Sequence, residues 1–192
     1  MVMEQFRPSW FAAYTGANRE KRVASALQKK AVEHFLPLYG SLRHWKDRRV
    51  SLQMPLFPGY LFVHLALCDR LQVLQVPGVV NLVAFNGAPV ALPQGEIDAL
   101  KSSLSNGISA EPHPYLVTGR KVRIRRGPLQ GWEGILIRRK GTFRAVLSVE
   151  LIMRSIAVDV DLEDVDILSP TRSSQGHLNA DARGKVQNTI GG

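Results

Sequence analysis

Pro55-Leu56-Phe57-Pro58-Gly59-Tyr60-Leu61-Phe62-Val63 couples a turn to a strand. Pro58 presets φ for the first central position of a turn, and Gly59 can take the positive φ that the second one needs. The apolar run Leu61 to Leu65 then reads as a strand. The turn presents Phe57, Tyr60 and Phe62 together. Two readings are open for these aromatics. They are core, or part of them forms an exposed apolar patch that receives a protein partner.

Outward from this stretch the period changes repeatedly. Trp10 to Thr15 is an aromatic-rich strand candidate. Arg19 to Ala31 is a helix, with Val23, Ala26 and Leu27 forming an apolar stripe and Asn18 as its N-cap. Phe35 to Tyr39 is a second strand, with Pro37 arguing for an edge or an end. Asp69 can cap a short helix running through Gln75. Val79 to Phe85 is a fourth strand, closed by the Asn86-Gly87 turn signal. Pro93 opens a last helix carrying Glu96, Ile97 and Leu100. This β-α-β-β-α-β-α order suggests an α+β, ferredoxin-like sandwich over residues 7–101. Residues 102–115 are polar, broken by Gly107, Pro112 and Pro114, and read as a linker. Short β-branched runs follow at 121–124, 134–137, 145–149, 156–160 and 165–168, which fits a small five-stranded β-barrel over 116–168. Residues 169–192 are rich in Ser, Gly and Asn and are expected to be disordered.

The chain has 192 residues, 45% hydrophobic and 21% charged, a globular balance. Lys plus Arg number 25 against 16 Asp plus Glu, a net charge of +9 that points to an anionic partner, most often nucleic acid. No apolar run approaches the roughly 18 residues of a membrane-spanning helix. Met1 to Trp10 carries Glu4 and Arg7 and lacks the apolar core of a signal peptide, so a cytoplasmic location is expected. Cys68 is the single cysteine and reads as packing filler.

Arg43-His44-Trp45-Lys46-Asp47-Arg48-Arg49 falls between strands, at a hairpin tip. Cations beside an aromatic suit phosphate contact with base stacking, and a solvated loop is the competing reading. Residues 120–144 carry nine basic residues and one acid, while 145–168 carry one basic residue and six acids. The basic part could touch RNA and the acidic part oppose it or dock a basic protein; a solvated surface is the equal alternative. No phosphate-binding glycine loop, metal-ligand histidine spacing or calcium loop is present in the sequence. The expectation is therefore a non-enzymatic protein without cofactor or metal.

Trp10 to Thr15, Arg22-Val23-Ala24, Pro55 to Val63 and Val76-Pro77-Gly78-Val79 resemble, in order, the N-terminal (NGN) domain of NusG-type transcription factors. Val117 to Ile124, followed by Gly127-Pro128-Leu129-Gln130-Gly131-Trp132-Glu133-Gly134, is similar to the KOW domain that follows it, an SH3-like barrel. Leu38-Tyr39, Trp45 and Pro55 to Tyr60 resemble the specialised UpxY and RfaH-type antiterminators more than general NusG.

The resemblance implies a transcription elongation and antitermination factor. Its N-terminal domain would bind the β′ clamp helices of RNA polymerase through Tyr14, Phe57, Tyr60, Phe62 and Phe85. It would span the DNA channel to the β gate loop near Asp69, Arg70, Leu71 and Gln72. Holding the clamp closed would suppress pausing and termination. Arg43, His44, Trp45, Lys46, Arg48 and Arg49, helped by Arg19 and Arg22, would contact the non-template DNA strand, nearby duplex or nascent RNA. Ile152 matches the loop position that relatives use to bind a ribosomal small-subunit protein; Rho is the other candidate partner of that domain. The β-branched runs argue for a stable barrel rather than a helical hairpin in the second domain. The competing function is an RNA- or ribosome-binding module without polymerase binding. A monomer without membrane contact is expected in either case.

Overall fold

The strand and helix periods seen in the sequence sort the apolar side chains onto two faces of a sheet. A computed structural model describes residues 6–45, 48–116, 118–139 and 141–168, with the backbone alone along 42–45 and 48–49. The expectation of disorder for 169–192 lies outside the described residues.

The first half contains β1 (Ser9–Thr15), α1 (Glu20–Lys29), β2 (Glu33–Phe35), β3 (Leu38–Trp45), β4 (Arg48–Pro55), β5 (Tyr60–Leu65), α2 (Leu71–Leu74) and β6 (Val79–Leu82). It continues with β7 (Ala84–Phe85), β8 (Ala88–Pro89), β9 (Ala91–Leu92) and α3 (Gln94–Ser105). Four strands pair antiparallel in the order β2-β5-β1-β6, with β9 also pairing β1. The connections β1-α1-β2 and β5-α2-β6 each skip one strand, so two split β-α-β units interleave. Phe11, Ala13, Leu61, Val63 and Leu65 turn one way and bury Val23 and Leu27 of α1 and Val73 of α2. Trp10, Ala12 and Phe62 turn the other way, toward Ile97 and Leu100 of α3.

Three boundaries differ from the sequence expectation. Arg19 is the N-cap of α1 with no side-chain cap bond, and Asn18 sits before it at φ +58°. The expected second strand is two strands, parted at Leu36-Pro37. The expected fourth strand breaks after Leu82, and Asn86 (φ +50°) with Gly87 (φ +82°) forms the tight turn between β7 and β8. The hairpin β3–β4 stands apart from the main sheet, with Trp45 opposite Arg48.

The second half is a six-stranded antiparallel sheet: β10 (Ala110–His113), β11 (Arg120–Ile124), β12 (Glu133–Arg139), β13 (Thr142–Val149), β14 (Arg154–Asp159) and β15 (Val165–Ile167). The order β10-β14-β13-β12-β11-β15 leaves β10 and β15 as edges, so no closed barrel is found among the described residues. The sequence led to an expectation of a five-stranded barrel; the structure has six strands and shows no closure among the described residues. The sixth strand comes from the expected linker, where Ala110 to His113 pairs with Val158 to Ser155. Ser102 to Ser105 belongs to α3. Pro112 is tolerated because β10 is an edge strand.

The two halves touch. Leu147, Val149, Ile152 and Ile156 join the apolar cluster that contains Trp10, Phe57, Phe62 and Leu100. A cavity of about 300 Å³ between Leu92, Pro93 and Glu96 on one side and Ser148 to Leu151 on the other marks the junction. Among the described residues no helix is long and apolar enough to cross a membrane.

Candidate protein-docking face

Two central strands build this face. Along β1 and β5, every second residue projects away from α1 and α2, which stacks aromatics in register. Tyr14 lies opposite Tyr60, Ala12 opposite Phe62 and Trp10 opposite His64. The Tyr14 and Tyr60 rings are 5.3 Å apart, and Trp10 stacks on His64 at 5.0 Å. Phe62 is flanked by Phe35 at 6.2 Å and by Phe57, edge-on, at 5.7 Å.

The turn that feeds β5 has the geometry its sequence demands. Tyr60 N–H donates to the Phe57 carbonyl at 3.0 Å, and Gly59 at φ +87° supplies the left-handed position that a type II turn requires. The Gly59 carbonyl accepts from Thr15 N–H at 2.8 Å, and its own N–H donates to Glu20 Oε1 at 2.7 Å. The turn is thus fastened to the end of β1 and the start of α1.

The structure separates the aromatics into core and surface. Phe57 and Phe62 are each 1% exposed, so they are not surface anchors as the resemblance implied. Phe62 points inward on a central strand, and the turn folds Phe57 back against it. Tyr14 is 40% exposed, and Tyr60 is half-buried. Phe85 is 71% exposed but sits on the separate β7–β8 hairpin. The accessible part of the set is therefore Tyr14, the edge of Tyr60, and Phe85.

Asp69, Arg70, Leu71 and Gln72 are brought together where a 3-10 turn (Leu67–Asp69) runs into α2. Gln72 Nε2 donates to Asp69 Oδ1 at 3.4 Å, Arg70 Nη1 donates to the Leu67 carbonyl at 3.2 Å, and the Leu71 side chain is exposed. Lys30, just past α1, donates to the Gln72 carbonyl at 3.1 Å. The aromatic turn precedes β5 and this segment follows it. At a rise of about 3.4 Å per residue, the six residues of β5 hold the two roughly 20 Å apart.

Arg19, the N-cap of α1, and Arg22 in its first turn are exposed. Arg43, His44, Trp45, Arg48 and Arg49 lie on the distal part of β3–β4; their side chains, and Lys46, lie outside the described residues. Ile152 is buried in the shared apolar cluster. Two residues later, the Arg154 guanidinium lies 5.6 Å over the Tyr60 ring, so the second half covers part of the aromatic face.

The two oppositely charged stretches do not form separate faces. Arg125 meets Asp166 at 3.3 Å and Arg126 meets Asp164 at 3.6 Å across the two stretches, while Arg123 pairs with Glu133 within the basic one. Strand pairing of β11 with β15 and of β13 with β14 brings the stretches side by side. Arg144 is buried and reaches Glu111 Oε2 at 2.9 Å and Asp159 Oδ1 at 2.8 Å. Its hydrogen bond holds the Glu111 carboxyl below the usual carboxylate range, against the opposing effect of burial; the charges of Arg144 and Arg139 add to it. On α3, burial pushes the Glu96 carboxyl up, and the nearby Glu150 carboxylate pushes it further.

Sequence reasoning missed Glu20, Arg144 and Arg154. Each is a charged residue whose partner lies far along the chain, and no local pattern marks it. Among the described residues there is no cluster of three or more His, Cys, Asp or Glu that could hold a metal ion.

The first half is an α+β sheet of interleaved split units bearing an aromatic face. Residues 8–101 match the family described as "NusG: Transcription termination factor nusG". The solved structure "Domain interaction in Thermotoga maritima NusG" is similar at 22% identity and TM-score 0.59, covering 86% of this chain and 99% of that one. That likeness establishes a shared fold over both halves. The "Crystal Structure of MjSpt4:Spt5 complex conformation B" aligns at 21% identity and TM-score 0.27 over 84% of this chain and 97% of that one.

Proposed function

We propose that this chain is a NusG-type transcription elongation factor that binds RNA polymerase and suppresses pausing and termination, without catalysing a reaction. What supports the reading is the NusG-family match over 8–101, together with an exposed Tyr14 near one end of β5 and an exposed Leu71 past the other. Tyr14 and the edge of Tyr60 grip the β′ clamp helices at one end, with Phe85 beside them on its hairpin. The segment Asp69 to Gln72 reaches the β gate loop at the other. A rigid sheet touching both sides of the DNA channel resists clamp opening, which is the conformational route into a pause.

The finer assignments follow. The first unit runs from residue 7 to the end of α3 at Ser105 and the KOW-type second unit from β10 at Ala110 to 168, which moves the expected boundaries at 101 and 116. The chain is a specialised paralogue of the UpxY or RfaH type, acting in the cytoplasm as a monomer. The β3–β4 hairpin, with Arg19 and Arg22, contacts the non-template strand or nascent RNA. Ile152 serves a ribosomal small-subunit protein or Rho once the second half has left the aromatic face, because Arg154 over Tyr60 and a polymerase helix compete for the same ring. The polymerase-free RNA-binding reading has less support, since Arg123, Arg125, Arg126 and Arg144 of its basic stretch are already paired with carboxylates.

The test is affinity for purified RNA polymerase together with a pausing assay on a defined template. Tyr14→Ala, a surface change, is expected to weaken binding at least about tenfold and to abolish pause suppression. Unchanged affinity in Tyr14→Ala and in Phe85→Ala would refute the docking face.

A further inference from the structure

We propose that Glu20 is a positioning residue for polymerase docking: its carboxylate latches the Phe57–Tyr60 turn and so fixes the Tyr14–Tyr60 pair in the geometry that a partner helix meets. This rests on the docking reading above and adds a residue to it. Glu20 is a polar carboxyl residue and yet only 4% exposed, a burial that is costly unless the group is hydrogen-bonded. It stands in the first turn of α1, where the helix dipole favours a negative group. Its Oε1 accepts the Gly59 N–H at 2.7 Å, across 39 positions of sequence.

The consequence for the aromatics is steric. Gly59 is so close to Tyr14 that a Cβ there would lie 3.3 Å from the ring. Tyr60 follows it directly and holds the Tyr14 ring at 5.3 Å. With the Gly59 N–H released, the peptide before Gly59 loses its only side-chain anchor among the described bonds. The two rings are then free to part, because the remaining ties, Thr15 N–H to Gly59 O and Tyr60 N–H to Phe57 O, allow the turn to rock.

Three substitutions separate the bond from the charge. Glu20→Gln keeps an acceptor oxygen at the same reach. Glu20→Asp keeps the charge but withdraws it by one methylene. Glu20→Ala removes both. The readouts are amide hydrogen exchange at Gly59, by NMR on the full chain, and affinity for RNA polymerase. We expect Glu20→Gln to stay within about threefold of wild type in both, and Glu20→Asp and Glu20→Ala to exchange faster at Gly59 and bind weaker by about tenfold or more, the weight of leaving the Gly59 N–H without its acceptor. Wild-type exchange at Gly59 in folded Glu20→Asp overturns the latch, as does wild-type affinity in Glu20→Asp while Tyr14→Ala loses binding. If Tyr14→Ala and Phe85→Ala both bind normally, the docking reading itself has failed, and the positioning role falls with it even where Gly59 exchange quickens; if Tyr14→Ala alone binds normally, the Tyr14–Tyr60 pair is not what Glu20 positions and the proposal is overturned. Should Glu20→Ala not fold, the Gln and Asp pair still decides.

Discussion

Replacing Arg144 by Met tests whether β10 is fastened to the second sheet as the structure indicates. The Arg144 side chain is only 7% exposed. It donates to Glu111 Oε2 on β10 at 2.9 Å, meets Asp159 Oδ1 on β14 at 2.8 Å and donates to the Ala157 carbonyl at 3.2 Å. Met fills most of the aliphatic volume, so the cavity contribution is small. Glu111 and Asp159 are about half exposed (48% and 50%), so water can rehydrate them, and the cost stays below the roughly 3–5 kcal/mol of stranding a buried charge. One charge-assisted bond, at about 1.5–3 kcal/mol, dominates, giving an expected loss of about 2–3 kcal/mol. Chemical denaturation followed by circular dichroism measures it. The pH dependence supplies a second check. The Glu111 carboxyl is held below its ordinary value in the folded chain. Its contribution is therefore present above the ordinary carboxylate range and lost as pH falls through the lowered value. The gap between wild type and Arg144→Met should narrow on acidification from pH 7 toward pH 3. A loss under about 1 kcal/mol at pH 7, or a gap that stays constant with pH, would refute the role given to Arg144.

Other perturbations follow from the same geometry. Phe62→Ala should cost about 3–5 kcal/mol by leaving a hole between Phe35 and Phe57, so its polymerase binding must be read beside a melting curve. Gly134→Ala places a methyl 2.6 Å from the Val146 carbonyl oxygen, a backbone atom that cannot yield cheaply; a loss of about 1–3 kcal/mol is expected in denaturant titration. Glu96→Gln removes a carboxylate that burial and Glu150 both disfavour. Since the Glu96 value is raised, folding loses stability as pH rises through it, and the Gln variant should be more stable than wild type near pH 7 and equal to it at acidic pH by thermal melting.

Local pattern revealed the elements whose reasons are local. The stripe Val23, Ala26, Leu27 gave α1 its buried face, and the Pro58-Gly59 pair specified the turn before β5. Pro93 marked the start of α3, and Asn86-Gly87 the tight hairpin. What stayed hidden depends on pairing across the chain. Ala110 to His113 is short, holds a proline and has no clear alternation; it becomes a strand only because β14 offers it an edge. Whether the second sheet closes depends on two end strands meeting, which no run of β-branched residues encodes. The burial of Phe57 and Phe62 follows from strand direction and from what covers the sheet, whereas composition says only that aromatics are present. Glu20 reads in sequence as an ordinary first-turn acid, and its partner 39 residues away is visible only once the chain is folded.

The helix α1 and the strand β5 run between the same two anchor points. At one, Glu20 holds Gly59; at the other, Lys30 holds the Gln72 carbonyl. The first sheet therefore behaves as a caliper with fixed jaws. A one-residue insertion in β5 alone would turn its side chains over, and an added turn in α1 alone would overshoot by about 5.4 Å. Changing the spacing between the two anchor points would require lengthening or shortening both members in step, so that spacing resists piecemeal change.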